Sequence, residues 1–208
     1  METETVSPVS EERRAELILG AACRLFLGPG RVNMDDLARD LGMAKKTIYR
    51  HFPDRHSLLT AVLDRQFGAI ERTLAAAADE ARDQPFGEQV RRFLVAAGAE
   101  LERIGAAQLA TGRGDAVLRR HVEQRIDTVV YQRLDALFED GHRRGLLSAP
   151  PALLGAITRG AVERLLNSPL PRELGCTAAE LLRTTVDTVL HGAIRRPGDE
   201  SDESEVTS

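Results

Sequence analysis

Apolar residues recur at spacings of three and four along nearly the whole chain, and this periodicity constrains the fold more than any other feature. One face of an α-helix repeats at that spacing, whereas a half-buried strand alternates at every second residue. Alternation of β-branched residues is absent, and proline and glycine cluster between the periodic segments. The sequence therefore predicts an all-α fold of about nine helices.

The periodicity also predicts how the chain is organised. Short helical segments are followed by longer ones, so we expect a three-helix domain at residues 10–54 and a helical bundle at 55–196. Residues 1–9 and 197–208 lack apolar periodicity, and the second of these segments is strongly acidic. We expect both to be disordered tails, because they cannot bury enough apolar surface to fold.

Glycine and proline predict boundaries inside the bundle. One helix opens at Pro85, and the three glycines between residues 105 and 114 predict a bend or a short helix there. A single long helix is expected from about 115 to 144. Two arginines, which suit the negative end of a helix, precede Gly145, which suits the left-handed position that follows a helix.

Composition bounds the functional class. Hydrophobic residues make up 42% of the chain, yet no apolar run approaches the roughly 20 residues needed to span a bilayer. The polar, acidic N-terminus does not fit a signal peptide. We therefore expect a cytoplasmic protein, without membrane association, in which Cys23 and Cys176 are reduced thiols.

The chemistry-bearing residues do not form a catalytic or metal-binding pattern. His121 and His142 lie 21 residues apart on one predicted helix, which separates them by about 30 Å. No glycine-rich phosphate loop follows a strand, and neither thiol has a predictable base. The sequence predicts no enzyme, no catalytic residues, no metal and no cofactor.

The segment from residue 31 to 59 carries the functional signal. Two short helices are joined at Gly42; Leu37, Ala38 and Leu41 anchor the first helix, and Ile48 and Phe52 anchor the second. This is a helix-turn-helix arrangement, in which the second helix enters the major groove of DNA. Its remaining side chains point away from the core and include the only two lysines of the chain: Lys45, Lys46, Thr47, Tyr49 and Arg50.

The same segment resembles the signature of the tetracycline-repressor (TetR) family of bacterial transcription regulators. The resemblance is specific over about residues 13–63, whereas the rest of the chain is similar only in its helical architecture. The residues that carry it are Asp36-Leu37-Ala38, Gly42, Thr47, Tyr49, His51-Phe52, Arg55 and Leu58-Leu59.

The resemblance implies a role for each matched position. Lys45, Lys46 and Thr47 stand where the family contacts bases and phosphates. Tyr49 and His51 match phosphate-contacting positions, and Arg55 stands where the family places a lysine that contacts a phosphate. Three features depart from the usual pattern. The loop between the first two helices is short, with Arg31 where an aromatic residue is frequent. Asn33 replaces the commoner threonine cap of the second helix, and Ala44 replaces the serine or threonine that caps the third. With Arg50 and without Arg31, these nine residues form the predicted DNA-binding set.

The family also implies an effector pocket among helices 4 to 8. Candidate lining residues on these helices are Phe67, Phe93, Gln108, Tyr131 and Phe138. Taken singly, each of them is better explained as a core aromatic residue or a solvated amide. Aromatic residues are only 4% of the chain and tryptophan is absent, so an aromatic cage for a cation is not indicated. The expected effector is an unidentified apolar or amphipathic small molecule.

The last two helices carry more apolar surface than one core needs, along with a stripe of small residues. We expect them to form an isologous dimer interface, although an ordinary intramolecular helix pair would have the same pattern. The predicted interface residues are Leu153, Gly155, Ala156, Ile157, Gly160, Val186, Val189 and Leu190.

These features predict a homodimeric DNA-binding repressor that a small molecule releases from a palindromic operator. The sequence leaves open a regulator controlled by a protein partner, one without an effector, and an activator. The effector, the operator and the regulated genes are not encoded in any pattern of the chain.

Overall fold

The structure, a computed structural model, describes residues 8–28, 32–111, 115–166, 173–175 and 178–193. Within those ranges it leaves out the side chains of residues 8–10, 104–111, 165–166, 178–179, 181–182 and 193. The described residues form helices and their connections without a strand, which confirms the all-α prediction. In chain order the helices are α1 (Pro8–Leu27), α2 (Met34–Asp40), α3 (Lys45–His51), α4 (Arg55–Glu80), α5 (Phe86–Thr111), α6 (Ala116–Ile126), a π-helical segment (Asp127–Tyr131), α7 (Gln132–Arg143), α8 (Pro151–Leu166) and α9 (Ala178–Ala193).

The chain divides into two compact units, the first of which comprises Met1–Arg72 and Glu100–Ile126. Helices as short as α2 and α3 are unstable in isolation, so they depend on packing against this unit's core. Each large apolar side chain that is fully buried contributes about 1.5–3 kcal/mol. The buried side chains of this core include Ile18, Phe26, Leu37, Ile48, Leu58, Leu63, Phe67, Leu101 and Val122.

The turn between α2 and α3 is set by Gly42. Its φ of +61° lies in the left-handed region, where a Cβ is disfavoured. The amides of Gly42 and Met43 donate to the carbonyls of Arg39 and Ala38 at 3.2 and 2.9 Å, which satisfies the last carbonyls of α2. This turn fixes where α3 begins.

The second unit comprises Thr73–Ala99 and Asp127–Ser208. The ring of Phe86 lies against Gly141 of α7, and a Cβ on that glycine would come within 2.7 and 2.9 Å of Phe86 Cε2 and Cε1. At Gly155 of α8, the Asp135 carboxylate of α7 occupies the space of a Cβ. Glycine thus permits close packing at two points of this unit. Its buried side chains include Val90, Leu94, Val130, Leu134, Phe138, Leu154 and Val162.

The helix boundaries confirm some predictions and correct others. Gly145 has a φ of +69°, and its amide donates to His142 O at 2.9 Å, so it ends α7 as predicted. Helix α5 continues through Gly105 to Thr111. The prediction of a bend or a short helix was therefore wrong for residues 105–111. Residues 112–114 lie outside the described residues.

The long helix expected from 115 to 144 contains the π-helical segment in its middle. Val129, Val130 and Tyr131 are consecutive and all buried. An α-helix turns by about 100° at each residue, so three consecutive side chains do not share one face. The segment is therefore buried on more than one side, and π-helical segments often occur at functional sites.

Candidate nucleic-acid interface and effector site

Helix α3 exposes most of its basic side chains to solvent and is anchored to the core by one apolar residue. Ile48 is fully buried. Lys45, Lys46 and Arg50 are exposed, and the ring of Tyr49 is 45% exposed. Thr47, the remaining recognition-helix candidate, is half-buried. An exposed basic face on the second helix of a helix-turn-helix can reach phosphates and base edges.

Acidic side chains pair with two cations of this face. Lys45 Nζ lies 2.7 Å from Asp35 Oδ2, and Arg50 Nη2 lies 2.8 Å from Glu11 Oε1. Among the residues that the structure describes, Lys46 has no ion pair. Neither pair follows from the sequence pattern, because Glu11 stands 39 residues before Arg50 and no motif links Asp35 to Lys45.

Arg55 has a structural role that its position in the motif did not reveal. Its Nε donates to the carbonyl of Val32 at 2.9 Å, which ties the first residue of α4 to the segment before α2. The guanidinium is half-buried. Arg55 therefore positions the helix-turn-helix segment, in addition to the phosphate contact expected of it.

The two predicted helix caps differ as their chemistry requires. Asn33 Oδ1 accepts the amide of Asp35 at 3.0 Å and caps α2. Ala44 is the N-cap of α3 and makes no side-chain hydrogen bond. A cap of this kind contributes about 1 kcal/mol, so α3 begins without a stabilisation that α2 has.

His51 lies deeper than a phosphate contact needs. Its side chain is 9% exposed, and Nε2 is buried 3.4 Å from Glu11 Oε2 without a hydrogen bond to any described residue. Reaching a phosphate with Nε2 would require the ring to move. The structure therefore places His51 against α1 rather than on the exposed face of α3.

The aromatic effector candidates are all core residues. Phe67 is fully buried in the first unit, whereas Phe93, Tyr131 and Phe138 are buried in the second. The side chain of Gln108 lies outside the described residues. The structure thus places three of the five candidates in one unit.

A polar cluster surrounds Tyr131 in the second unit. The Arg159 guanidinium lies 4.1 Å from the centre of the Tyr131 ring and forms a 2.7 Å ion pair with Asp127. Burial raises the pKa of Tyr131 to about 12, and the hydrogen bond from Arg159 holds the pKa of Asp127 below its usual value. On α8 the neighbouring Thr158 is buried, and its hydroxyl has no hydrogen-bond partner among the described residues. An unpartnered buried hydroxyl is costly, and a ligand could satisfy it.

The predicted dimer residues fall into two groups. Leu153 and Ile157 are 51% and 45% exposed, and Ala156 and Gly160 are exposed on the same face of α8. Gly155, Val186 and Leu190 are buried by the chain itself, and Val189 is half-buried. Only the first group is freely available to a partner.

The described residues contain no group of three or more histidine, cysteine, aspartate or glutamate side chains that could hold a metal ion. Their helices include none with the length and apolar character needed to cross a membrane.

Comparisons with known proteins identify the N-terminal segment. Residues 18–62 match the family described as bacterial regulatory proteins, tetR family. An uncharacterized HTH-type transcriptional regulator of Mycobacterium tuberculosis is 34% identical over 74 residues. That match covers 35% of this chain and 37% of the relative, so the chain matches little more than a third of the relative's length.

Solved structures match over most of the chain. A transcriptional regulator of Saccharomonospora viridis, solved in complex with choline, has a TM-score of 0.69 at 19% identity and covers 89% of this chain and 100% of its own. A transcriptional regulator of Bacillus subtilis, in complex with stearoyl-CoA, has a TM-score of 0.63 at 14% identity and covers 85% and 98%. At these identities the likeness is one of fold.

Proposed function

From the match of residues 18–62 to the TetR family of bacterial regulatory proteins, we propose that the chain is a member of this family. We further propose that it is a homodimeric repressor released from a palindromic operator by a small-molecule effector. It is a regulator and not an enzyme. We assign DNA binding to residues 10–54, and effector binding and dimerisation to residues 55–196. A DNA-binding role implies that the protein acts in the cytoplasm.

The observation that carries the proposal is the exposed face of α3. Ile48 anchors the helix, while Lys46 and Tyr49 project into solvent without an intramolecular role that would explain them. Phosphate contacts from such a face supply affinity, and base-edge contacts supply sequence preference. We assign base and phosphate contacts to Lys46, Thr47 and Tyr49, with the paired Lys45 and Arg50 beside them.

The exposed face of α8 supports a dimer. Leu153, Ala156, Ile157 and Gly160 follow helical spacing and leave an apolar strip without a covering element among the described residues. On α9 the exposed Thr188 donates its hydroxyl to the carbonyl of Thr184 at 2.9 Å, which leaves its methyl group free to pack. A two-fold dimer carries two α3 helices, one for each half of a palindrome.

The second unit supports the effector part of the proposal. Two proteins of the same fold were solved with small molecules, choline in one and stearoyl-CoA in the other. In this chain Phe93, Tyr131 and Phe138 are buried residues of the second unit, and Thr158 of the same unit has a buried hydroxyl without a partner among the described residues. We assign effector binding to these residues. We therefore propose an apolar or amphipathic effector with at least one hydrogen-bonding group.

The DNA-binding claim is tested by selecting duplexes from a random pool with the purified protein. We expect the pool to converge on a palindrome. Lys46→Ala should weaken binding to the selected duplex by about 1–3 kcal/mol if Lys46 contacts a base. Arg120→Ala, which removes an exposed cation from α6, is the matched control and should leave binding unchanged. An unselected pool, or equal loss in both variants, would contradict the assignment.

The effector claim is tested by displacement of that selected duplex. Choline and a long-chain acyl-CoA are the first probes, followed by a library of apolar and amphipathic compounds. An effector should lower DNA affinity at least tenfold, about 1.4 kcal/mol of coupling. Thr158→Val should weaken its action without changing DNA affinity in its absence. If no compound releases the duplex, control by a protein partner becomes the better hypothesis.

A further inference from the structure

The two ends of α3 are each paired with a carboxylate from another helix. Asp35 of α2 binds Lys45, the first residue of α3, at 2.7 Å. Glu11 of α1 binds Arg50, the residue before the last one of α3, at 2.8 Å. We propose that Glu11 and Asp35, the competing carboxylates, occupy these cations in the free protein and thereby restrain sequence-independent binding to DNA. The inference rests on the proposed DNA-binding function.

Local structure places both carboxylates where they compete with phosphate. Asp35 lies in the first turn of α2, whose start is fixed by the Asn33 cap, and Glu11 lies in the first turn of α1. Oε2 of Glu11 also lies 3.4 Å from the buried Nε2 of His51, but the two paired cations, Lys45 and Arg50, are both exposed. The pairs are therefore surface ion pairs next to the face that would meet DNA.

This competition acts on the sequence-independent component of the affinity for DNA. Sequence-independent binding comes from cations that neutralise phosphates and release counterions into solution. A cation that already has a carboxylate partner must exchange it for a phosphate, so its gain on binding is smaller. Exposed ion pairs are weak, so the carboxylates reduce this gain without preventing contact.

Two other exposed residues of α3, Lys46 and Tyr49, are outside this competition. Lys46 has no ion pair within the described part of the chain, and Tyr49 is open to solvent. The competing carboxylates thus weaken the phosphate contribution of Lys45 and Arg50 and leave the contacts of Lys46 and Tyr49 unaltered. A regulator that must find one site among many non-specific ones benefits when its sequence-independent binding is weaker.

The test compares neutral variants of the competing carboxylates with matched neighbours. Glu11→Gln and Asp35→Asn remove the competitors, while Glu12→Gln and Asp36→Asn remove the adjacent charges. Asp36 pairs with Arg39 of its own helix at 3.1 Å, and Glu12 is exposed. Each pair of variants changes net charge equally, so a general electrostatic effect moves both members alike.

The probe is a mixed-sequence DNA duplex titrated over a series of salt concentrations, with the fold of each variant checked by circular dichroism. We expect Glu11→Gln and Asp35→Asn each to tighten binding about two- to fivefold beyond their controls, the range of an exposed ion pair. The slope of log affinity against log salt should steepen by up to about 0.9 for each cation released.

Three outcomes are distinguishable. If each variant matches its control, or binds more weakly than wild type, the carboxylates do not compete with phosphate and the inference is overturned. If wild type and all variants fail to bind both the mixed duplex and any duplex from the random pool, the proposed DNA-binding function itself fails. Tighter binding confined to Glu11→Gln and Asp35→Asn supports the inference.

Discussion

The single change Gly160→Ala separates the stability of one chain from its assembly into a dimer. Gly160 is exposed in α8, and a Cβ placed there has no neighbouring atom within 4 Å. Alanine is favoured over glycine in a helix interior by about 0.8–1.0 kcal/mol. In a chain without a partner, the substitution should therefore raise the free energy of unfolding by about 1 kcal/mol.

The proposed dimer should respond in the opposite direction. If α8 meets its symmetry mate across Gly160, the added methyl enters a closely packed seam, and two-fold symmetry places it there twice. Overpacking costs about 1–3 kcal/mol per site, or about 2–6 kcal/mol for the pair. The lower bound corresponds to a dimer dissociation constant about 30-fold higher.

Sedimentation velocity over a dilution series measures that constant, and urea unfolding at the same concentrations measures stability. Gly20→Ala is the control, because a Cβ on this α1 glycine also meets no atom within 4 Å. It should stabilise the chain and leave the dimer unchanged. If Gly160→Ala behaves in the same way as Gly20→Ala, the dimer seam does not include this face of α8.

Three further substitutions test the packing and the DNA interface. Thr158→Val removes a buried hydroxyl that has no partner among the described residues, so it should raise the free energy of unfolding by about 1 kcal/mol in urea titrations. Thr188→Val removes a hydroxyl that is already bonded to its own helix and should not raise it. A loss of stability in Thr158→Val would mean that the Thr158 hydroxyl has a hydrogen-bond partner. Gly141→Ala should lower the free energy of unfolding by about 1–3 kcal/mol, because the Cβ of the alanine would lie 2.7 Å from Phe86 Cε2. An unchanged melting temperature would show that the Phe86 ring can move away. Ala44→Ser should supply the missing cap of α3. Measured by fluorescence anisotropy, binding to the selected duplex should become tighter by about 1 kcal/mol with the same sequence preference. Weaker binding would contradict this account of how α3 begins.

Features that depend on neighbours in sequence were predicted correctly. Asn33 caps α2, Gly42 makes the turn before α3, and Gly145 ends α7. Each depends on side-chain and backbone chemistry within about one helical turn, so a short stretch of sequence contains all the relevant information. The anchoring of α3 by Ile48 followed from helical periodicity in the same way.

Features that depend on distant residues were decided by the tertiary structure. Periodicity identified Gly155, Val186 and Leu190 as apolar or small, but it could not tell that this chain's own packing buries them. It also gave no sign of the π-helical segment, which contains three consecutive buried side chains. An apolar pattern predicts that a helix face is buried but not which element covers it, because the hydrophobic effect is non-directional.

The candidate DNA interface shows the same division. Its exposed residues follow from the motif, whereas the partners of its cations do not: Arg50 binds Glu11, and Arg55 donates to the carbonyl of Val32. These partners lie 39 and 23 residues earlier in the chain. Sequence alone determined which cations the chain offers. Only the folded arrangement decided which of them are neutralised, because ion pairs and hydrogen bonds act over a few ångströms of space and not over separation along the chain.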